Sequence, residues 1–112
     1  MNWKSLTDTA EIDVIKEASF TQPQIIFKHS TRCSISSMAK SRLERATPAE
    51  NTQFHYLDLI AHRDISALVA DTFGVAHESP QILLINKGEC VYDESHSGIS
   101  MDEIAEQAGK LN

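Results

Sequence analysis

The feature that most narrows the fold is the order in which two periodicities alternate along the chain. Apolar residues at helical spacing alternate with short β-rich runs as far as Gly74, and two β-rich runs then follow one another directly. Side chains come round about every 3.6 residues on a helix and every 2 on a strand, so each change of period marks a change of element. Asp8-Thr9-Ala10-Glu11 sets a cap-like carboxylate three positions before an acidic residue, and Ile12, Ile15 and Ala18 then recur at helical spacing. A first helix is expected over residues 8–19. After Pro23, the run Gln24-Ile25-Ile26-Phe27-Lys28-His29 reads as a buried strand, followed by the polar loop Ser30-Thr31-Arg32.

From Ser34 onward, Ile35, Met38, Ala39, Leu43 and Ala46 line one face of a second helix that must end before Pro48. Residues 53–59 form a second strand, and Ile65, Leu68, Val69 and Phe73 mark a third helix that Gly74 can terminate. Gln81-Ile82-Leu83-Leu84-Ile85-Asn86 and Glu89-Cys90-Val91-Tyr92-Asp93, separated by Lys87-Gly88, are expected to pair as an antiparallel hairpin. Ser100 and Glu103 form a capping box for a last helix carrying Ile104, Ala105, Ala108 and Leu111. The order is βαβ joined to ββα. It implies an α/β domain spanning residues 1–112, with a mixed four-stranded sheet flanked by helices on both faces and an extra N-terminal helix: a thioredoxin-like fold.

Charge and composition exclude several functions. Ten Lys and Arg stand against sixteen Asp and Glu, a formal charge of −6, so a general nucleic-acid surface is not expected. Residues 28–45 run against that balance, because Lys28, Arg32, Lys40, Arg42 and Arg45 oppose Glu44 alone. The longest aliphatic run, Ile82-Leu83-Leu84-Ile85, is far shorter than the roughly 18 apolar residues of a membrane span, and the first residues lack the apolar core of a signal peptide. A cytoplasmic location is therefore expected, with Cys33 and Cys90 both free thiols. The five histidines show no short-range metal spacing, so no zinc or iron site is assigned.

Cys33 is the residue on which chemistry converges. It follows an apolar strand and immediately precedes an amphipathic helix, where unpaired backbone N–H groups and the positive end of the helix dipole favour a thiolate. Arg32 adds a positive neighbour, and Ser36, three residues on, can turn its hydroxyl toward the sulfur. A thiolate is the nucleophile that thiol–disulfide exchange requires. The ordinary alternative for such a cysteine is a small buried apolar residue. Pro80 opens the next apolar strand after Ser79, at a place where a cis bond would turn the chain sharply, or where a proline serves only as a turn. Cys90 is expected at the sheet end opposite Cys33, too far to bridge to it, since a disulfide needs Cα atoms within about 7 Å.

Phe27-Lys28-His29-Ser30-Thr31-Arg32-Cys33-Ser34-Ile35-Ser36 resembles the active-site segment of the YtxJ-like monothiol bacilliredoxins, and His77-Glu78-Ser79-Pro80-Gln81 resembles their cis-proline segment. The family's pattern is commonly Cys-Pro-Ile-Ser, and Ser34 departs from it at one position. The resemblance implies a cytosolic enzyme that removes bacillithiol from protein mixed disulfides. Cys33 would be the nucleophile, no cofactor would be bound, and the low-molecular-weight thiol would be co-substrate. It further implies substrate contacts at Ser79 and Pro80. Thr31 and His96 would border the site, and the helix start near Gly98, Ile99 and Ser100 either holds a carboxylate through backbone N–H groups or is an ordinary helix cap. Thiolated proteins and a small thiol are the expected partners of a monomer. Two other readings stay open: an iron–sulfur module of the monothiol glutaredoxin type, whose usual Cys-Gly-Phe-Ser does not match Ser34-Ile35, and a non-catalytic thioredoxin-like domain.

Overall fold

The computed structural model describes residues 1–111, and Asn112 lies outside them. In chain order the elements are β1 (Trp3–Ser5), α1 (Glu11–Ala18), β2 (Gln24–His29), α2 (Ser34–Arg45), β3 (Gln53–Asp58), α3 (Arg63–Phe73), β4 (Gln81–Asn86), β5 (Glu89–Ser95) and α4 (Met101–Gly109), with a 3₁₀ turn at His96–Gly98. The five strands form one sheet in the order β1-β3-β2-β4-β5. β1 and β2 both run parallel to β3, whereas β4 is antiparallel to β2 and β5 to β4. Among the described residues, no helix is long and apolar enough to cross a membrane.

The sheet has one strand more than the four expected. β1 is three residues long, too short to show an alternation, and it exists because tertiary contacts hold it. Trp3 pairs with Phe54 in register, stacks on Phe27 at 5.6 Å between ring centres, and donates its indole N–H to Glu44. α1 is also shorter than expected: Asp8 accepts from the Ala10 N–H in a turn before the helix, which starts only at Glu11.

Strand alternation sends successive residues of β2 to opposite layers. Ile25 and Phe27 pack with Ala39 and Leu43 of α2 and with Met101, Ile104 and Ala108 of α4. Ile26 packs on the other face with Ile12 and Ile15 of α1 and with Ile65 and Val69 of α3. Covered on both sides, β2 is buried along its whole length, and an apolar side chain the size of Phe27 gains roughly 1.5–3 kcal/mol from such burial.

The apolar face read onto α2 is corrected. Ile35 and Met38 are 52% and 62% exposed, and the face that packs is Ser36, Ala39 and Leu43. A small polar residue takes the core position nearest the helix start because its hydroxyl has buried partners there. Three local signals act as expected. Gly74 ends α3 at φ +65°, Lys87 and Gly88 make the β4–β5 turn with φ of +52° and +80°, and the Ser100 hydroxyl accepts from the Glu103 N–H.

Candidate active site at the carboxyl end of β2

Three loops meet at the sheet end where β2 finishes. The first carries Ser30, Thr31, Arg32 and Cys33 into α2, the second runs from His77 to a cis bond between Ser79 and Pro80, and the third is the His96–Gly98 turn. Hydrogen bonds from the backbone and from Arg42 tie them together. His96 N–H donates to the Pro80 carbonyl at 3.0 Å, and Arg42 of α2 donates to the carbonyls of His96 and Ile99 at 3.2–3.3 Å.

Cys33 is the N-cap residue of α2. Its backbone is extended (φ −114°, ψ 122°), its carbonyl accepts from the Ser37 N–H, and its thiol is half-buried. An N-cap side chain stands at the unpaired N–H groups of the first turn, and that turn contains no acidic residue to compete for them. Ser34, exposed at the first helical position, occupies a place where proline is readily accommodated. Serine there leaves the helix start intact and adds one more free N–H.

Ser36 is fully buried, and its hydroxyl is engaged: it accepts from the Ser30 N–H at 3.0 Å and lies 2.7 Å from His29 Nδ1. One proton sits between Oγ and Nδ1. If the imidazole carries it, the Ser36 hydroxyl proton is free for another acceptor; if not, that proton is spent on His29, and the hydroxyl expected to turn toward the Cys33 sulfur is held instead by Ser30 and His29. His29 is therefore the residue that sequence reading missed. Burial, with the nearby Lys40 cation, pushes its pKa down from the usual imidazole value, and its ring stacks on Phe27 at 5.8 Å. The available signal was a histidine closing a run that is otherwise a both-faces-buried strand.

The basic block is likewise redistributed. Lys28 is buried, Lys40 pairs with Glu44 at 2.9 Å, Arg42 donates to carbonyls and Arg45 is exposed at the far end of α2, which leaves Arg32 as the exposed cation of the block next to Cys33 in sequence. Thr31 is also exposed. Ser79 and buried Pro80 sit on the second loop, and the Ser79 hydroxyl is buried without a hydrogen-bond partner. Gly98 fits closely for a local reason, since a Cβ there would meet the Glu94 side chain at 2.6–3.0 Å. The start of α4 is a poor anion seat, because Asp102 and Glu103 already place two carboxylates in its first turn. His96, at φ +56°, lies 3.7 Å from Glu78.

Cys90 lies at the other end. It pairs with Ile85, which in turn pairs with Gln24 at the start of β2, so most of a strand length separates it from the Cys33 loop. It packs against the α1/α3 core, donates to the Tyr92 carbonyl at 3.3 Å, and burial pushes its pKa up to about 11.

Comparison with known proteins agrees with this geometry. Residues 4–104 match the sequence profile of monothiol bacilliredoxin BrxC. Among solved structures, a candidate oxidoreductase with a thioredoxin fold superposes with a TM-score of 0.82 at 27% identity, over 96% of this chain and 93% of that one. Thioredoxins from Malassezia sympodialis (TM-score 0.74, 12% identity, 97% and 90% covered) and Fasciola hepatica (0.74, 14%, 97% and 99%) share the fold.

Proposed function

The chain belongs to the monothiol bacilliredoxin family, and on that premise we propose that it removes bacillithiol from mixed disulfides on other proteins, with Cys33 as nucleophile. At the coarser level it is a thiol-disulfide oxidoreductase of thioredoxin-like fold. The bacillithiol reading rests on the family match, and the observation that supports Cys33 as its nucleophile is its placement, half-exposed at a helix start free of acidic residues.

The Cys33 thiolate attacks the bacillithiol sulfur of a protein–S–S–bacillithiol disulfide. A new S–S bond forms to Cys33, the old one breaks, and the protein sulfur leaves as a thiolate that takes a proton from water. No electrons are lost overall. Position 36 is serine, so no cysteine three residues on resolves the adduct, and a separate thiol or a reductase must finish the cycle. Arg32 and the Ser36 hydroxyl stabilise the attacking anion, Ser36 doing so when His29 carries the shared proton on Nδ1. Ser79 and Pro80 line the approach of the substrate chain, Thr31 borders the sulfur, and the Gly98 turn closes the third side. The protein works as a monomer in the cytoplasm, without a bound cofactor.

The test is intact mass after exposure to oxidised bacillithiol and, separately, oxidised glutathione. A single bacillithiol adduct mapped to Cys33, formed faster than the glutathione adduct, is expected. An adduct on Cys90 alone, or none, refutes the assignment.

A further inference from the structure

Where His29 turns toward α2, its neighbour Lys28 turns the other way, under α3. Its side chain is fully buried, with Nζ 3.4 Å from the Ser66 carbonyl and 3.3 Å from His77 Nδ1. The Ser66 hydroxyl lies 3.3 Å from the same nitrogen. No carboxylate among the described residues forms an ion pair with Lys28; the two pairs present are Lys40–Glu44 and His96–Glu78. Burial lowers the lysine to a pKa of about 8, so at neutral pH it is still an ammonium, with donors only. His77 Nδ1 must then accept, which fixes the ring proton on Nε2. Burial and the Lys28 and Arg63 cations push the His77 pKa down, with the Glu78 carboxylate opposing them.

In front of these groups opens a cavity of about 290 Å³ lined by Leu59, Arg63, Ser66, Ala67 and His77. Arg63 is exposed, at the first position of α3. Glu78, the carboxylate whose field reaches His77, lies against His96 instead. The notch is thus lined by a guanidinium and an imidazole N–H donor, and the buried, unbalanced Lys28 ammonium lies behind them against His77 Nδ1 and the Ser66 carbonyl. An isolated buried charge is costly, and one anion placed here would balance it. The position suits a substrate group. The Leu59 N–H donates to the His29 carbonyl at 3.0 Å, at the root of the Cys33 loop, and His77 begins the loop that ends at the cis proline.

We propose that the notch formed by Arg63 and His77 over buried Lys28 binds a carboxylate of the disulfide substrate. This rests on the exchange function proposed above and names a recognition element for it. The carboxylate can come from the small thiol or from an acidic side chain of the protein substrate, and the two sources are experimentally separable.

Amide NMR of the full chain titrated with succinate at constant ionic strength, with succinamide as the neutral control, tests the site itself. Saturable shifts centred on Arg63, Ser66 and His77 with succinate alone are expected, weakened about tenfold by Arg63→Ala, as for loss of a charged hydrogen bond, and also weakened by Lys28→Met. Equal shifts with succinamide, or shifts unchanged by Arg63→Ala, overturn it. Arg63 is a surface residue, so its variant decides the matter even if Lys28→Met does not fold. Kinetics then assign the source. With a carboxylate-bearing thiol on a neutral peptide, a tenfold rise in KM at constant kcat in Arg63→Ala points to the small thiol. The same rise with 2-mercaptoethanol on an acidic peptide points to the protein. A rise with neither refutes the role in recognition. Succinate binding involves no redox step, so intact binding without any exchange activity would fault the proposed function and leave the site standing.

Discussion

The two ends of the central sheet bury polar groups in opposite ways. At the hairpin end the groups close on themselves. Gln24 accepts from His55 at 2.7 Å, Ser19 accepts from the Gly88 N–H at 2.8 Å, and Cys90 gives its proton to a carbonyl. At the cysteine end the inventory does not close: the Ser79 hydroxyl is buried without a partner, Lys28 is buried without a carboxylate, and Ser36 shares a single proton with His29. Buried polar groups that pair fully contribute to the fold, whereas unmatched ones cost stability and persist where a ligand or reaction uses them. The two cysteines fall one to each end, so the contrast between the ends is also a contrast between the proposed nucleophile and a thiol packed into the core.

The largest expected effect is on catalysis. Cys33→Ser should lower the rate of bacillithiol release from a modified protein by about 10,000-fold, while Cys90→Ser changes it by less than about twofold. Comparable losses in both variants would erase the distinction. Next comes labelling. With its pKa pushed up to about 11, Cys90 is a thiolate in only about one molecule per thousand at pH 8, so iodoacetamide should modify it some thousandfold more slowly than a fully ionised thiol. Peptide mapping after graded alkylation should find Cys33 labelled first, with the Cys90 rate climbing about tenfold per pH unit.

Stability probes the hairpin end. Burial lowers His55 from 6.5 to about 4, so between those values the unfolded chain binds more protons than the folded one. The His55 contribution is therefore complete above pH 6.5 and is lost as pH falls toward 4, by about 3 kcal/mol at about 1.4 kcal/mol per pKa unit. Urea unfolding at pH 7 and pH 4.5 should show this loss, and His55→Phe should flatten it; an equal slope in the variant would assign the loss to other groups. The smallest effect belongs to Ser36. Ser36→Ala removes the partner of the buried Ser30 N–H and of His29, and should cost about 1–2 kcal/mol, read as a drop in Tm of roughly 4–16 °C. An unchanged Tm would mean that water replaces the hydroxyl there.

Much of the fold was legible because its elements announce themselves locally. β2, β4, the Lys87-Gly88 turn, the Gly74 stop and the Ser100 cap each depend on residues within about four positions. β1 left no such mark, since three residues carry no period and its support is Phe54 and Phe27, far along the chain. Ile35 and Met38 misled for a related reason: apolar spacing shows that residues share a helix face, but not that the face is covered. The placement of Cys33 between strand and helix could be read from the sequence, whereas the His29–Ser36 pair and the Lys28–His77 contact could not.

By itself the sequence determined the order of the elements, the turn and cap chemistry, and the position of Cys33 at a helix start, because these follow from neighbours along the chain. Only the tertiary structure decided what each buried polar group faces. Lys28 meets His77 across 49 positions, and Gln24 meets His55 across 31. Strand alternation sends adjacent residues of β2 to different layers, so which side chain meets which is set by how the helices pack on the two faces, and that packing has no local signature.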